Sequence, residues 1–311
     1  MNEIDVTVVI PFYNRSSTIC RAVESVLRQH NVDSVRIAIL IIDDGSTPAE
    51  NEVLHSKMMK YDRVEIVSCE SNMGACHARN VGIQRAETDF IAFLDSDDEW
   101  TDSFLSESIA HISKTGWTSS GFSVLGRFGL HNSTKSMNGL GVPEHLIVRG
   151  GHLSTCCTVM KTDMARETQW NEKLKRFQDW DFAIRMSANG HTPYFISKPL
   201  VIVHKGEANR ISNQAGTLLA KHWATEIAPY ISKEMVAYFL ARKIPHCLVQ
   251  EGKYVKAIAA SLSVSTYSAL GLRKYVSNCV SVIISICFNI ALVVRDIENR
   301  QTNGKAQNQR V

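Results

Sequence analysis

The sequence predicts an α/β chain built on a Rossmann-like, doubly wound sheet and followed by a helical appendix. Three observations carry this. Short apolar runs recur roughly every 25–30 residues through the first 115 positions, with helical spacing between them. Polar, acidic clusters follow the ends of those runs, which is where open α/β sheets bind ligands. Beyond about residue 217 the apolar spacing becomes wholly helical.

Val6 to Ile10 is a short apolar strand stopped by Pro11. Ile19, Ala22, Val23, Val26 and Leu27 then repeat at helical spacing, with Ser16 or Ser17 as the expected N-cap. Ile37 to Ile42 reads as a buried strand that ends in Asp43-Asp44-Gly45. Gly45 permits a tight turn, and Ser46-Thr47-Pro48 starts the next helix. Val64 to Val67 is the third strand, 74–86 the third helix, and Phe90 to Leu94 the fourth strand, which ends in Asp95-Ser96-Asp97-Asp98. Residues 117–160 hold several glycines and read as short strands and loops. A loop from Trp170 leads into a helix through Phe182, Ile184, Arg185 and Met186, and Val201 to Val203 is a short strand. Residues 205–216 read as a mobile loop.

From Thr217 to Leu270 helices follow, punctuated by Pro229 and Pro245. Residues 275–294 form an uncharged run of 20 between basic residues, long enough to span a bilayer. Ser277, Ser281, Ser285 and Asn289 recur along one face of it, so lying in a membrane interface or packing on protein fit as well as spanning. The expected division is 1–215 (halves 1–115 and 116–215), an appendix over 216–298, and a polar, disordered tail from 299.

The net charge is +3, but residues 1–100 hold 17 Asp/Glu against 9 Lys/Arg. An acidic first part suits a cation site, and a basic remainder suits an anionic partner or membrane surface. No basic-aromatic motif points to nucleic acid. No G-x-G-x-x-G, G-x-x-x-x-G-K-[ST] or G-x-S-x-G is present, which removes the main support for dinucleotide, P-loop and serine-hydrolase chemistry. Eight cysteines without a C-x-x-C pair, and no signal-like N-terminus, predict a reducing compartment.

Asp95 and Asp97 lie two apart in extended chain, so their carboxylates can converge on Mg²⁺ or Mn²⁺. Asp43 and Asp44 make a similar signal one strand away and can accept hydrogen bonds from a base or ribose. Either cluster could instead cap the helix that follows it. Arg79 could balance the acidic cleft or contact a nucleotide, or could be a structural partner of Asp43 or Asp95. Asp179 could act as a general base or as an N-cap, and His204 could ligate metal or bind phosphate.

These residues together resemble the family-2 glycosyltransferases. The matching elements run in the family's order: Val9-Ile10-Pro11-Phe12-Tyr13-Asn14, Asp43 to Thr47, Asn72-x-Gly74 with Ala78-Arg79-Asn80-x-Gly82, Phe93 to Asp98, and Asp179-Trp180-Asp181. The resemblance implies a GT-A fold and a hexosyltransferase-type enzyme with a nucleotide-sugar donor, UDP-linked, and a glycan or lipid-linked acceptor. It implies that Tyr13 and Asp44 hold the nucleobase, with Pro11 shaping the pocket. Asp95 and Asp97 would be the metal motif, with Asp97 the direct ligand and His204 a further metal or diphosphate contact. Asp179 would be the base of an inverting transfer. Gln178 departs from the Glu common at its position. The expected location is cytoplasmic, peripheral at the inner face of a membrane. A nucleotidyltransferase is the alternative enzyme, though the loop Asn14 to Ser17 lacks the glycines it would need; a non-catalytic nucleotide-sugar-binding subunit is the other alternative.

Overall fold

A computed structural model describes residues 4–32, 35–126, 129–204 and 216–287. The chain separates into two compact units, Met1–Arg210 and Ile211–Val311.

The first unit opens with strands β1 (Ile4–Phe12), β2 (Val35–Asp43), β3 (Val64–Ser68) and β4 (Phe90–Phe93), all parallel and ordered β3-β2-β1-β4. This is the expected doubly wound half. Alternation along β1 sends Val6, Val8 and Ile10 into a core shared with Ile19, Ala22, Val23 and Val26 of helix α1 (Ile19–Leu27). Each such fully buried Val or Ile contributes roughly 1.5–3 kcal/mol. Val9 points to the other face and meets Gly82 of helix α3 (Ala75–Arg85). A Cβ on Gly82 would lie 2.4 Å from Val9 Cγ1, so glycine is what allows α3 to approach the sheet. Pro11 costs β1 little, because β4 pairs only with Val6 to Val9 and has ended before it.

Helix α2 (Pro48–Met58) starts as expected, with Thr47 accepting the Glu50 amide. Helix α1 does not: its N-cap is Thr18, without a side-chain capping bond, while the Ser16 amide donates to Glu50 instead.

The second half of the sheet keeps the short strands and loops expected over 117–160 except in one strand, which is long. After the two-residue β5 (Glu99–Trp100) and helix α4 (Phe104–Thr115) comes β6 (Trp117–Gly126), ten residues long and central. It pairs with β7 (Gly129–Ser133) and β8 (Thr158–Lys161) antiparallel, and with β9 (Tyr194–His204) parallel. The full order is β3-β2-β1-β4-β8-β6-β9-β5. Helix α5 (Thr162–Thr168) follows β8, and α6 (Gln178–Ala188) precedes β9.

The second unit is helical: α7 (Thr217–Ile227), α8 (Lys233–Gln250), α9 (Tyr254–Ser261), α10 (Val264–Leu270) and α11 over 272–287. Pro245 does not end a helix; it lies inside α8. The i−4 carbonyl that it cannot serve, Ala241 O, accepts a long bond of 3.5 Å from Asn278 Nδ2 of α11. Among the described residues no helix is long and apolar enough to cross a membrane. The expected loop at 205–215, the last part of the 275–294 run and the tail lie outside the described residues.

Candidate active site

The strand order places the ends of β2, β1 and β4 side by side at the C-terminal edge of the sheet, so the two acidic clusters flank the Pro11–Asn14 turn. Asn14, at φ 50°, clamps that turn to the next: its amide donates to Ser46 Oγ at 2.9 Å, and its Oδ1 accepts from the Thr47 amide at 2.9 Å. Gly45 is required there, since a Cβ would lie 2.5 Å from the Ser71 backbone.

Within this frame the two aspartates of the first cluster differ. Asp43 accepts from the Ser46 amide at 3.0 Å and from Asn51 Nδ2 at 2.6 Å, so it stabilises its own turn. Asp44 reaches across and accepts from the amides of Met73 and Gly74, at 3.0 and 2.7 Å, which fixes the entry to α3. Tyr13, 45% exposed beside them, leaves its ring open for stacking.

At the end of β4, Asp97 is buried and pairs with Arg15, while its carbonyl accepts from Arg21. Asp95 is more open and accepts from Arg79 Nη2 at 2.7 Å. Asp98 accepts from the His204 amide at 3.1 Å, and the His204 ring bonds Glu99 at 2.8 Å. Two carboxylates two residues apart supply the hard oxygens that Mg²⁺ or Mn²⁺ takes, with phosphate oxygens and water commonly filling the remaining positions, while here each carboxylate is met by a guanidinium, Asp97 by Arg15 and Asp95 by Arg79. Among the described residues no three His, Cys, Asp or Glu side chains form a ready metal-holding group. Glu99 holds the His204 ring.

Arg79 is the hub. It is buried, stacks its guanidinium 4.9 Å from the Trp170 ring, and reaches Gln178 Oε1 at 3.3 Å as well as Asp95. Burial works to discharge it, but Asp95, Cys76 and Asp179 together hold its pKa above the ordinary value. The Arg79–Asp95 pair fits both the cleft-balancing and the structural readings of Arg79.

Asp179 stands in the first turn of α6, after Phe177 at φ 62°. Thr155 Oγ1 donates to its Oδ1 at 2.6 Å. Burial pushes this carboxyl above the usual range, Arg79 and the Thr155 hydroxyl pull it back, and Asp95 adds to the rise. A carboxylate whose basicity is raised in this way is suited to taking a proton. Cys76, close to the same charges, is no nucleophile, because burial pushes its thiol up to about 12.

Sequence reasoning missed Thr155, a lone hydroxyl in a Gly- and Ser-bearing stretch. It also missed the brace around Asn80, whose side chain exchanges bonds with the Trp170 backbone at 2.7 and 2.9 Å and reaches Glu172 at 2.7 Å. The signal for the brace was Asn80 itself, next to Arg79.

Comparison with known proteins places this geometry in context. The family model Glycosyl transferase family 2 matches residues 7–189. Amylovoran biosynthesis glycosyltransferase AmsB of Erwinia amylovora is 27% identical over 284 residues, covering 86% of this chain and 91% of AmsB. Putative colanic acid biosynthesis glycosyl transferase WcaA of Escherichia coli K12 is 27% identical over 210 residues, covering 64% of this chain and 72% of WcaA. Among solved structures, S. aureus TarS in complex with UDP-GlcNAc superposes with a TM-score of 0.61 at 18% identity, over 89% of this chain and 82% of that one, a likeness of fold.

Proposed function

This chain belongs to glycosyl transferase family 2, and on that premise we propose that it moves a sugar from a UDP-linked donor to a hydroxyl of a glycan or lipid-linked acceptor, with inversion. Glycosyl transfer from a nucleotide sugar is the activity; the nucleotide, the stereochemistry and the acceptor are our reading. The catalytic part is assigned to 1–215, donor side 1–115 and acceptor side 116–215, and the reaction to the cytoplasmic side, where nucleotide sugars are made.

The observation that supports the reading most is that Arg79 binds Asp95 directly and interacts electrostatically with Asp179. The acidic strand end and the candidate base therefore face one locus. Tyr13 stacks on the base of the donor, in a pocket shaped by Pro11 and kept open by Asp44 through the Met73–Gly74 amides. Asp95 and Asp97 would hold a Mn²⁺ or Mg²⁺ ion, which supplies positive charge against the leaving diphosphate. Asp179 takes the proton of the acceptor hydroxyl as its oxygen bonds the anomeric carbon, and the bond from that carbon to the diphosphate oxygen breaks. Thr155 and Arg79 orient Asp179 and favour its ionised form against the effect of its burial.

The test is donor hydrolysis by the full chain over a panel of UDP-sugars with Mn²⁺, water serving as acceptor. One sugar nucleotide should be consumed, and Asp97→Ala or excess chelator should cut the rate by about 10²-fold or more while the protein stays folded. Full activity in Asp97→Ala, or in chelator, would overturn the metal assignment.

A further inference from the structure

Helix α11 packs in the second unit through one stripe only. Asn278 and Val282 are buried, Ile286 nearly so, and Tyr275 and Cys279 half-buried, a spacing of three and four residues. Val282 and Ile286 join Val249 and Ala257 in a small core. A second stripe runs beside it: Leu272, Val276, Val280, Ile283 and Ile284, each at least half exposed. The spacing puts these five on one side of the helix, along about 18 Å of its axis. The serines at 277, 281 and 285 occupy the third side. The sequence showed one polar stripe and one apolar remainder; the fold uses half of that remainder and leaves the other half uncovered.

The charge around the stripe is mostly basic. From 252 to 287 there is no Asp or Glu, and there are four cations, Lys253, Lys256, Arg273 and Lys274, of which Lys253 is paired with Glu251 at 2.7 Å. Lys256 and Arg273 are exposed, and Lys274, in the first turn of α11, lies over the Tyr238 ring. An amphipathic helix with uncovered apolar side chains and an excess of cations beside it has the composition of an interfacial membrane helix. The stripe offers roughly 500 Å² of surface, below the ~800 Å² per partner of a stable protein interface. That argues against a second copy as its occupant.

We propose that the exposed stripe of α11 docks on an anionic lipid surface, with its side chains in the acyl boundary and the flanking cations on the headgroups. The proposal is independent of the donor chemistry, since it uses none of the residues at the sheet edge.

The test uses full-length protein and co-sedimentation with phosphatidylcholine vesicles, with and without phosphatidylglycerol. Wild type should bind the mixed vesicles, bind pure phosphatidylcholine weakly, and be partly released by salt. The triple variant Val276→Ser, Val280→Ser, Ile283→Ser should bind roughly a hundredfold more weakly. Lys256→Gln and Arg273→Gln each should weaken binding about fivefold; as exposed positions outside the core, they keep the test valid if the triple variant misfolds. Donor hydrolysis in solution should be unchanged in all of them. Wild type that ignores phosphatidylglycerol vesicles would overturn the proposal, as would Gln variants that bind with wild-type affinity. Sedimentation velocity showing a dimer that the triple variant dissociates, without lipid affinity, would assign the stripe to a second copy instead.

Discussion

Thr155→Val isolates the tuning of the candidate base. The substitution keeps the shape of a buried side chain and deletes one donor, the hydroxyl 2.6 Å from Asp179 Oδ1. That hydroxyl favours the ionised carboxylate, so removing it must raise an already raised pKa. A hydrogen bond to a charged group contributes about 1.5–3 kcal/mol, which corresponds to roughly 1–2 pH units. The base works only when ionised. The acidic limb of the pH profile of kcat/KM for donor hydrolysis should therefore move upward by that amount, while the rate on the plateau changes much less. Thr155→Ser keeps the donor and should keep the wild-type limb. If Thr155→Val lowers the rate uniformly and leaves the limb in place, Thr155 is only a packing residue and the assignment of Asp179 as base loses its support.

Asp179 also makes a stability claim. Its folded pKa lies above the unfolded one, so the stability it contributes is full below about pH 4 and is lost as pH rises through the folded value. Asp179→Asn should therefore melt higher than wild type at pH 7, converge with it in acid, and hydrolyse donor orders of magnitude more slowly; an inactive variant that is less stable at pH 7 would refute the burial argument. Gly82→Ala should cost about 1–3 kcal/mol through collision with Val9, read as a lower thermal midpoint, and Val9→Ala should restore part of it. Equal midpoints for Gly82→Ala and wild type would show that α3 can shift freely.

The first half of the sheet was legible because its strands are continuous apolar runs, and the acidic clusters were legible because buried strands rarely end in such residues. Strand β6 was not. Its buried positions include Thr118, Ser119, Ser120 and Ser123, which erase the apolar pattern that marks a central strand. Asp43 and Asp44 looked like a pair, yet tertiary partners divided them: one closes its own turn, the other holds the entry to α3. Thr155 and Asp179 are 24 residues apart, and no local spacing announces a hydrogen bond between them. The serine stripe of α11 was visible, but two apolar stripes side by side look like one until the fold covers the first.

The link between Pro245 and Asn278 bears on how this helical unit would respond to redesign. Replacing a proline inside a helix usually gains stability, of the order of 3 kcal/mol in an exposed setting. Here an alanine at 245 would regain its own bond to the Ala241 carbonyl and displace the Asn278 amide, which is buried and would then lack that acceptor. An unsatisfied buried amide costs about 1–3 kcal/mol, so most of the usual gain would vanish. The proline and the asparagine thus act as a matched pair, a keyway between two helices. The carbonyl freed in one helix is where a buried side chain of the other is anchored.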